Sequence, residues 1–342
     1  MKKNLTAIAK ELGVSPSTVS KVINNRSGVS DELRSRINAY LDGIGFQPNA
    51  IAQSMITGHT NIIGLIVGDL RNPFYSDLAN AIQHQLEEKG YMLMVYGCDY
   101  NADKAGAFIR RAIQYKFAGL LLVSSYAQSL LQSINEARRE GISVVLVNRN
   151  IEGFDGSFVS LDNFQAGYIA AKHLLDIGHQ DITLFSGPMN SSATVLRQRG
   201  FYQALENFGL SASLSGRIIE GSLTIESGCE MAKQFFEREG RRSTAVVAGN
   251  DLIALGFMDY CARTGIRIPE DVSLVSFDNT IFSSLYGISL TTVDQDVGDM
   301  SRKAVDYILE DIENPENSIV RRELIEPKLV VRSTTAPLLP TD

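Results

Sequence analysis

Apolar residues recur at helical spacing through the first sixty positions, after which the period changes to short apolar runs separated by amphipathic stretches. In the segment Leu5 to Leu12, Ala9 and Leu12 lie on one helical stripe, Gly13 suits the positive φ of a turn, and Val14 can plug the angle between two helices. Ser15 then caps a second helix whose first turn holds Pro16, Ser17 and Thr18. Val19, Val22 and Ile23 form its inner face, which leaves Pro16, Ser17, Ser20, Lys21 and Asn24 outward. Short polar and cationic side chains of this kind suit base edges and phosphates.

Ser30-Asp31-Glu32 reads as a cap with early acids, and Leu33, Ile37, Tyr40, Leu41 and Ile44 predict a third amphipathic helix ended by Gly43 to Gly45. Pro48 to Ile56 is helical in pattern but too short to be stable alone, and Gly58 ends it. Such a segment can fold only once a partner is bound. From Asn61 onward the pattern predicts buried strands at 62–67, 91–96, 119–123, 143–147, 158–161, 182–185, 217–220, 245–248, 273–277 and 290–293. Helices such as Asp77 to Lys89, Phe164 to Ile177 and Ile253 to Thr264 fall between them. Ten strands exceed one ordinary sheet, and a second βα series begins near Ile182. The expected fold is therefore an all-α helix-turn-helix headpiece joined to an α/β core of two doubly wound parallel-sheet lobes, with ligands held beyond the carboxyl ends of the strands.

Charge sharpens this division. The whole chain of 342 residues carries a formal −7, yet residues 1–58 hold seven Lys and Arg against four Asp and Glu, so the remainder is strongly acidic. The basic end is the helix-turn-helix end. Cys98, Cys229 and Cys261 are odd in number and widely spaced, which predicts small buried hydrophobes in a reducing compartment. Lys10 and Glu11 interrupt the apolar run that a signal peptide needs after Lys2 and Lys3, and no apolar stretch is long enough to span a membrane, so a cytoplasmic protein is expected. Only four histidines occur, with no HExxH, GxSxG or P-loop spacing, which argues against an enzyme. No metal or cofactor is expected.

Several motifs now occur in order: the headpiece, Gly64-Leu65-Ile66-Val67, Asn72-Pro73-Phe74-Tyr75, Gly178-His179, Gly187-Pro188, Asn250-Asp251, Ile268-Pro269-Glu270-Asp271-Val272, Phe277-Asp278-Asn279 and Leu290-Thr291-Thr292-Val293. Together they resemble the lactose-repressor and galactose-repressor (LacI/GalR) family of bacterial transcription regulators, from Leu5 to about Arg332. The resemblance implies a homodimer that reads a near-palindromic operator and a core, similar to periplasmic sugar-binding proteins, that binds a small effector. It divides the chain into a headpiece (1–48), a hinge helix and linker (49–60), a first lobe (61–161 with 292–325), a second lobe (162–291) and a short tail (333–342). The tail is too short for a tetramerising heptad helix, so a dimer is expected.

Carried over by position, Ser17, Thr18 and Asn24 fall where relatives touch bases or phosphates, and Pro16 occupies a reading position. The expected DNA-facing set is Thr6, Pro16, Ser17, Thr18, Ser20, Lys21 and Asn24, with Asn49, Gln53 and Met55 from the hinge. Met55 stands where the family usually has a leucine that wedges into the minor groove. For the effector, Arg197, Asn250 and Asp278 each lie just beyond predicted strands. A forked donor, an amide and a carboxylate match the alternating donors and acceptors of vicinal hydroxyls. Phe74 resembles the aromatic that covers a ligand face, and Asp69, Asn148, Arg149 and Ser191 complete the expected set. Asp278 could instead cap a helix, Arg197 could form only a structural ion pair, and Phe74 could be core. Arg149 with Arg197 fits a neutral sugar or a sugar acid equally, whereas Ser191 and Ala193 disfavour a nucleobase. His179 and the pair Asp294 and Asp296 read as turn residues.

Overall fold

The computed structural model describes residues 5–23, 27–46, 58–123, 127–149, 153–210, 217–237, 243–317 and 319–338. They form two compact units that divide between Asn61 and Ile62.

In the first unit α1 (Leu5–Leu12), α2 (Pro16–Ile23) and α3 (Asp31–Gly43) enclose a core of Ile8, Ala9, Leu12, Val19, Val22, Ile37 and Leu41. Gly13 takes a φ of +69°, and the Val14 amide donates to Ala9 O at 3.0 Å, so the chain leaves α1 through a left-handed turn that only glycine enters without strain. Ser30 caps α3 through its hydroxyl, which accepts from Leu33 N. Arg36 donates to Leu12 O at 2.5 Å and the Tyr40 hydroxyl donates to Glu11, so α3 is tied to the end of α1 at two points.

The second unit holds two six-stranded sheets. In the first, β1 (Ile62–Val67), β2 (Met92–Gly97), β3 (Gly119–Leu122), β4 (Ser143–Val147), β5 (Phe158–Leu161) and β11 (Arg322–Ile325) lie in the order β11-β5-β4-β3-β1-β2, and every pairing is parallel. Between these strands run α4 (Pro73–Glu88), α5 (Ala102–Gln114) and α6 (Leu131–Arg139). In the second sheet β6 (Ile182–Ser186), β7 (Ile218–Glu220), β8 (Ala245–Ala248), β9 (Ser273–Asp278), β10 (Thr291–Asp294) and β12 (Lys328–Val330) take the order β12-β10-β9-β8-β6-β7. Only the β10–β12 pairing is antiparallel. The second lobe is completed by α7 (Asn163–Asp176), α8 (Ser192–Asn207), α9 (Ile225–Glu237) and α10 (Asp251–Thr264), while α11 (Val297–Glu313) returns to pack on α4, β3 and β4 of the first.

The chain thus crosses between lobes three times: after β5, after β10 and between β11 and β12. One expectation changes here. The division implied by the resemblance assigns 292–325 to the first lobe, but Thr291–Asp294 pairs with Val275–Asp278 and belongs to the second, so the crossing falls at Gln295 and Asp296. An apolar run marks a strand without saying which sheet receives it. The short tail from residue 333 is docked up to Leu338 on the second lobe. Thr334 O accepts from Leu274 N at 2.7 Å, and the His179 ring bonds Thr244 Oγ1, Ser273 Oγ and Ala336 O. Asp296, at φ +48°, caps α11 by accepting from Asp299 N, and Asp294 accepts from Asp296 N, which makes this acidic pair a turn and cap.

Two helix crossings fix the second lobe. A Cβ on Gly167 would meet Arg197 O at 2.0 Å and one on Gly200 would meet Phe164 O at 1.9 Å, so α7 and α8 touch backbone to backbone. Gly228 and Gly256 allow the same approach between α9 and α10. Bare backbones pass where side chains could not, and α8 carries Arg197 into the junction between lobes.

Candidate functional site

On the headpiece, α2 begins with Ser15, whose Oγ accepts from Thr18 N at 3.1 Å and lies 2.7 Å from Ser17 Oγ and 2.8 Å from Thr18 Oγ1. Pro16 has no N–H, and Thr18 N and Val19 N both donate to Ser15, so the first turn of α2 is closed on its cap with Ser17 N beside small hydroxyls. Thr6, Pro16, Ser17 and Lys21 are exposed, and Thr18 and Ser20 are half-buried. The structure therefore brings together six of the expected DNA-facing residues. Asn24, Asn49, Gln53 and Met55 lie outside the described residues, as does the hinge segment itself.

The second site lies where the carboxyl ends of the two sheets meet. Asn148 and Arg149 follow β4, Asn250 follows β8, and Asp278 ends β9. Arg197, on α8, donates from Nε to Asn163 Oδ1 at 2.9 Å and from Nη1 to Gly249 O at 2.9 Å, while its guanidinium lies 4.4 Å from the Phe277 ring centroid. Asp278 Oδ1 stands 4.0 Å from Nη1 and accepts from Gln295 Nε2 at 2.5 Å. Gln295 Oε1 in turn accepts from Asn148 Nδ2 at 2.7 Å. The hydrogen bonds found for this pair among the described residues use Arg197 Nε and Nη1 and Asp278 Oδ1, and both side chains are largely buried.

Electrostatics set this pair apart. Burial pushes the Asp278 carboxyl up to about 7, against the attraction of Arg197, and the buried Asp251 carboxylate adds to the rise. Burial also lowers Arg197 to about 10, with the nearby Arg149 guanidinium acting in the same sense. Each member is driven toward its neutral form, so desolvation outweighs their mutual attraction. A ligand whose hydroxyls bond both groups relieves that penalty, and perturbed buried pairs of this kind mark functional sites.

The remaining expected residues divide. Arg149 is buried and donates from Nη1 to Asn148 O at 2.6 Å. Asn148 sits at φ +53°, a conformation asparagine tolerates, with its amide donating to Val159 O. Asn250 caps α10, its Oδ1 accepting from Ile253 N at 2.9 Å, which leaves its Nδ2 directed at Leu223 O at 3.5 Å. Ser191 stands buried at the start of α8 and makes no side-chain cap bond. Asp69 is engaged by Arg71 through two donors of the guanidinium and the backbone amide, and this partner holds its carboxyl below the usual range. Phe74 is buried in the main core edge-on to Tyr75, which is buried to the same degree. The aromatic in the field of Arg149 and Asp278 is the next residue, Tyr75, joined by Tyr100, whose ring covers the backbone of Gly68. Sequence reasoning missed Tyr75, Tyr100, Asn163 and Gln295. The last two follow strand ends, at β5 and β10, which is the signal that could have found them.

Neighbouring Asp251 is a structural hub. Its carboxylate accepts from Ser276 Oγ, Thr280 N and Oγ1, Ser283 Oγ and Thr292 Oγ1 at 2.5 to 3.0 Å, so both oxygens are consumed inside the lobe. An open groove of about 520 Å³ beside the amino end of β4 is lined by Asn135, Arg138, Arg139 and Asp155. It faces away from the strand carboxyl ends, and Arg138 within it is already paired with Asp155. No cluster of potential metal ligands occurs among the described residues.

Comparison with known proteins agrees with this geometry. Residues 4–49 match the model for bacterial regulatory proteins of the lacI family, and residues 60–329 match that for periplasmic binding proteins and the sugar-binding domain of the LacI family. The transcriptional regulator DegA of Bacillus subtilis is 31% identical over 340 residues, covering 99% of each chain. The HTH-type transcriptional repressor PurR of an Escherichia coli strain is 30% identical over 331 residues, covering 96% of each. Among solved structures, a LacI-family regulator from Enterococcus faecium with bound ribose is 27% identical, covers 81% of this chain and 100% of its own, and superposes with a TM-score of 0.71. The lac repressor dimer bound to operator and an anti-inducer, at 24% identity, shares the fold over 98% of this chain and 100% of its own, with a TM-score of 0.82. With a helix-turn-helix headpiece, a two-lobed core of parallel sheets and relatives that are regulators rather than enzymes, the chain belongs to the LacI family of bacterial transcriptional regulators.

Proposed function

We propose that the protein is a cytoplasmic, homodimeric repressor of carbohydrate-utilisation genes, and that a sugar or sugar acid bound between its lobes controls its grip on a near-palindromic operator. The observation that carries this reading is the buried Arg197–Asp278 pair at the carboxyl ends of the strands, 4.0 Å apart, in which burial works against both charges. Vicinal hydroxyls satisfy such a pair, whereas a purely apolar ligand leaves it unpaired at a cost of several kcal/mol. Ribose in the E. faecium relative supports a carbohydrate effector. On the DNA side, Ser17, Thr18, Ser20 and Lys21 read or position the operator, Thr6 and Pro16 flank them, and Asn24, Asn49, Gln53 and the Met55 wedge complete the contact.

Dimerisation uses an apolar patch of the second lobe. Ile281, Phe282, Leu285 and Tyr286 follow β9 in sequence and stay exposed, Tyr286 fully so. A contiguous exposed apolar patch marks an association surface. Light scattering is expected to give the mass of two chains, and Tyr286→Asp with Ile281→Asp to give one. A double variant that stays dimeric would place the interface elsewhere.

Effector occupancy then shifts the population of DNA-competent dimers. Near-complete switching requires roughly 5.5 kcal/mol of differential affinity, shared between two sites. A thermal-shift panel of sugars, sugar acids and sugar phosphates tests the cleft. A ligand at 100 times its Kd stabilises by about 2.7 kcal/mol, and the Arg197→Ala variant is expected to lose that stabilisation. A ligand that stabilises both proteins equally would move the site away from Arg197.

A further inference from the structure

We infer that Gln295 is a positioning residue that holds the two lobes in register around the effector pair and transmits their relation to the DNA-binding state. This rests on the effector reading above for its purpose, though not for its geometry.

Six groups form a closed polar circuit. Asn148 Nδ2 donates to Gln295 Oε1 at 2.7 Å, Gln295 Nε2 donates to Asp278 Oδ1 at 2.5 Å, and Asp278 faces Arg197 at 4.0 Å. Arg197 Nε donates to Asn163 Oδ1 at 2.9 Å, Asn163 Nδ2 donates to Leu161 O at 3.1 Å, and Leu161 N completes the loop toward Asn148 Oδ1 at 3.5 Å. Asn148 and Leu161 belong to the first lobe, Asp278 and Arg197 to the second. Asn163 and Gln295 lie on two of the three segments through which the chain crosses between them. Gln295 is 1% exposed, and the circuit uses both ends of its amide, the oxygen on the first lobe and the nitrogen on the second.

The chemistry makes this position hard to replace. An amide can accept at one end and donate at the other, whereas a carboxylate only accepts and would oppose Asp278. A ligand that draws Asp278 or Arg197 toward itself pulls on Gln295 and therefore on Asn148 across the junction. Because buried polar circuits are costly when incomplete, a displacement at one link is felt at the others. Gln295 needs no contact with the effector to act in this way.

The test uses the full chain without ligand. In Gln295→Leu, nearly isosteric but unable to bond, hydrogen exchange at residues 161–163 and 294–297 is expected to rise at least tenfold while both sheet cores stay protected. Gln295→Glu should behave alike, whereas Gln295→Asn, which keeps both functions on a shorter stem, should restore part of the protection. Affinity for an operator selected from random DNA should change at least fivefold in the Leu variant, with its thermal stabilisation by whichever panel sugar protects the wild type retained. Unchanged exchange would overturn the circuit, and so would acceleration spread through both cores. Faster local exchange with unaltered operator affinity would overturn the link to DNA. Loss of sugar stabilisation in the wild type itself would instead count against the effector reading and leave the exchange result standing.

Discussion

Replacing Gly167 with alanine inserts one methyl group where α7 crosses α8, and the structure sets the magnitude of the response. The new Cβ would lie 2.0 Å from Arg197 O, whereas ordinary contact begins at 3.4 Å, so the helices must part by about 1.4 Å. The obstacle is backbone and cannot rotate away. Overpacking of this kind costs about 1–3 kcal/mol, partly offset by about 1 kcal/mol from the better helix propensity of alanine. The net expectation is a loss of up to about 2 kcal/mol, or as much as several degrees of melting temperature at about 2–4 °C per kcal/mol. Gly106 on α5 supplies the control, because a Cβ there meets nothing closer than 3.5 Å. Gly106→Ala should therefore raise the midpoint, by about 0.5–1 kcal/mol. Thermal unfolding of both variants without ligand decides the matter. A Gly167→Ala protein as stable as the wild type would refute the idea that glycine is there to let the backbones touch and hold Arg197 in place.

Other perturbations read different parts of the molecule. Arg197→Ala should abolish the response to effector while leaving operator affinity within about threefold, and loss of DNA binding by a folded variant would show that the cleft is misplaced. Burial lowers the pKa of both His173 and His179, so the native state favours their neutral rings. As pH falls through the unfolded value near 6.5, the unfolded chain takes up protons first, and stability present above that pH is lost. The melting midpoint should drop between pH 7.5 and 5.5, and a His179→Gln variant should show a shallower drop. An equal drop would exclude His179 as a source. Burial pushes the Asp278 carboxyl up to about 7, so an effector that bonds its carboxylate should bind more tightly at pH 8 than at pH 6; the reverse order would mean that the ligand bonds the protonated acid, and a flat profile that it does not engage Asp278. Met55→Gly should weaken specific operator binding far more than nonspecific binding, and equal losses would argue against a wedge.

Local rules made the headpiece legible. The capping serine, the turn glycine and the inner face of Val19 and Val22 are all written within a few residues of one another, and the structure uses each. Alternating apolar runs likewise announced two parallel-sheet lobes. What sequence could not assign were choices made between distant segments. Thr291–Asp294 joins the second sheet because Val275–Asp278 and Lys328–Val330 lie ready on either side, and the tail docks because Thr334 finds Leu274. Asp278 was visible as chemistry at a strand end, whereas Arg197, expected just beyond a strand, lies inside α8. Gln295, lying between two more conspicuous carboxylates, acquires its meaning only from Asn148 in the other lobe.

The central claim is that ligand occupancy of the Arg197–Asp278 pair governs operator binding. Fluorescence anisotropy on an operator selected from random DNA tests it most directly, with a titration of whichever panel sugar raises the melting point. The account predicts an operator affinity that changes at least tenfold on saturation in the wild type and does not change in Asp278→Asn, although both proteins bind the operator without sugar. An equal response in the two proteins would contradict it.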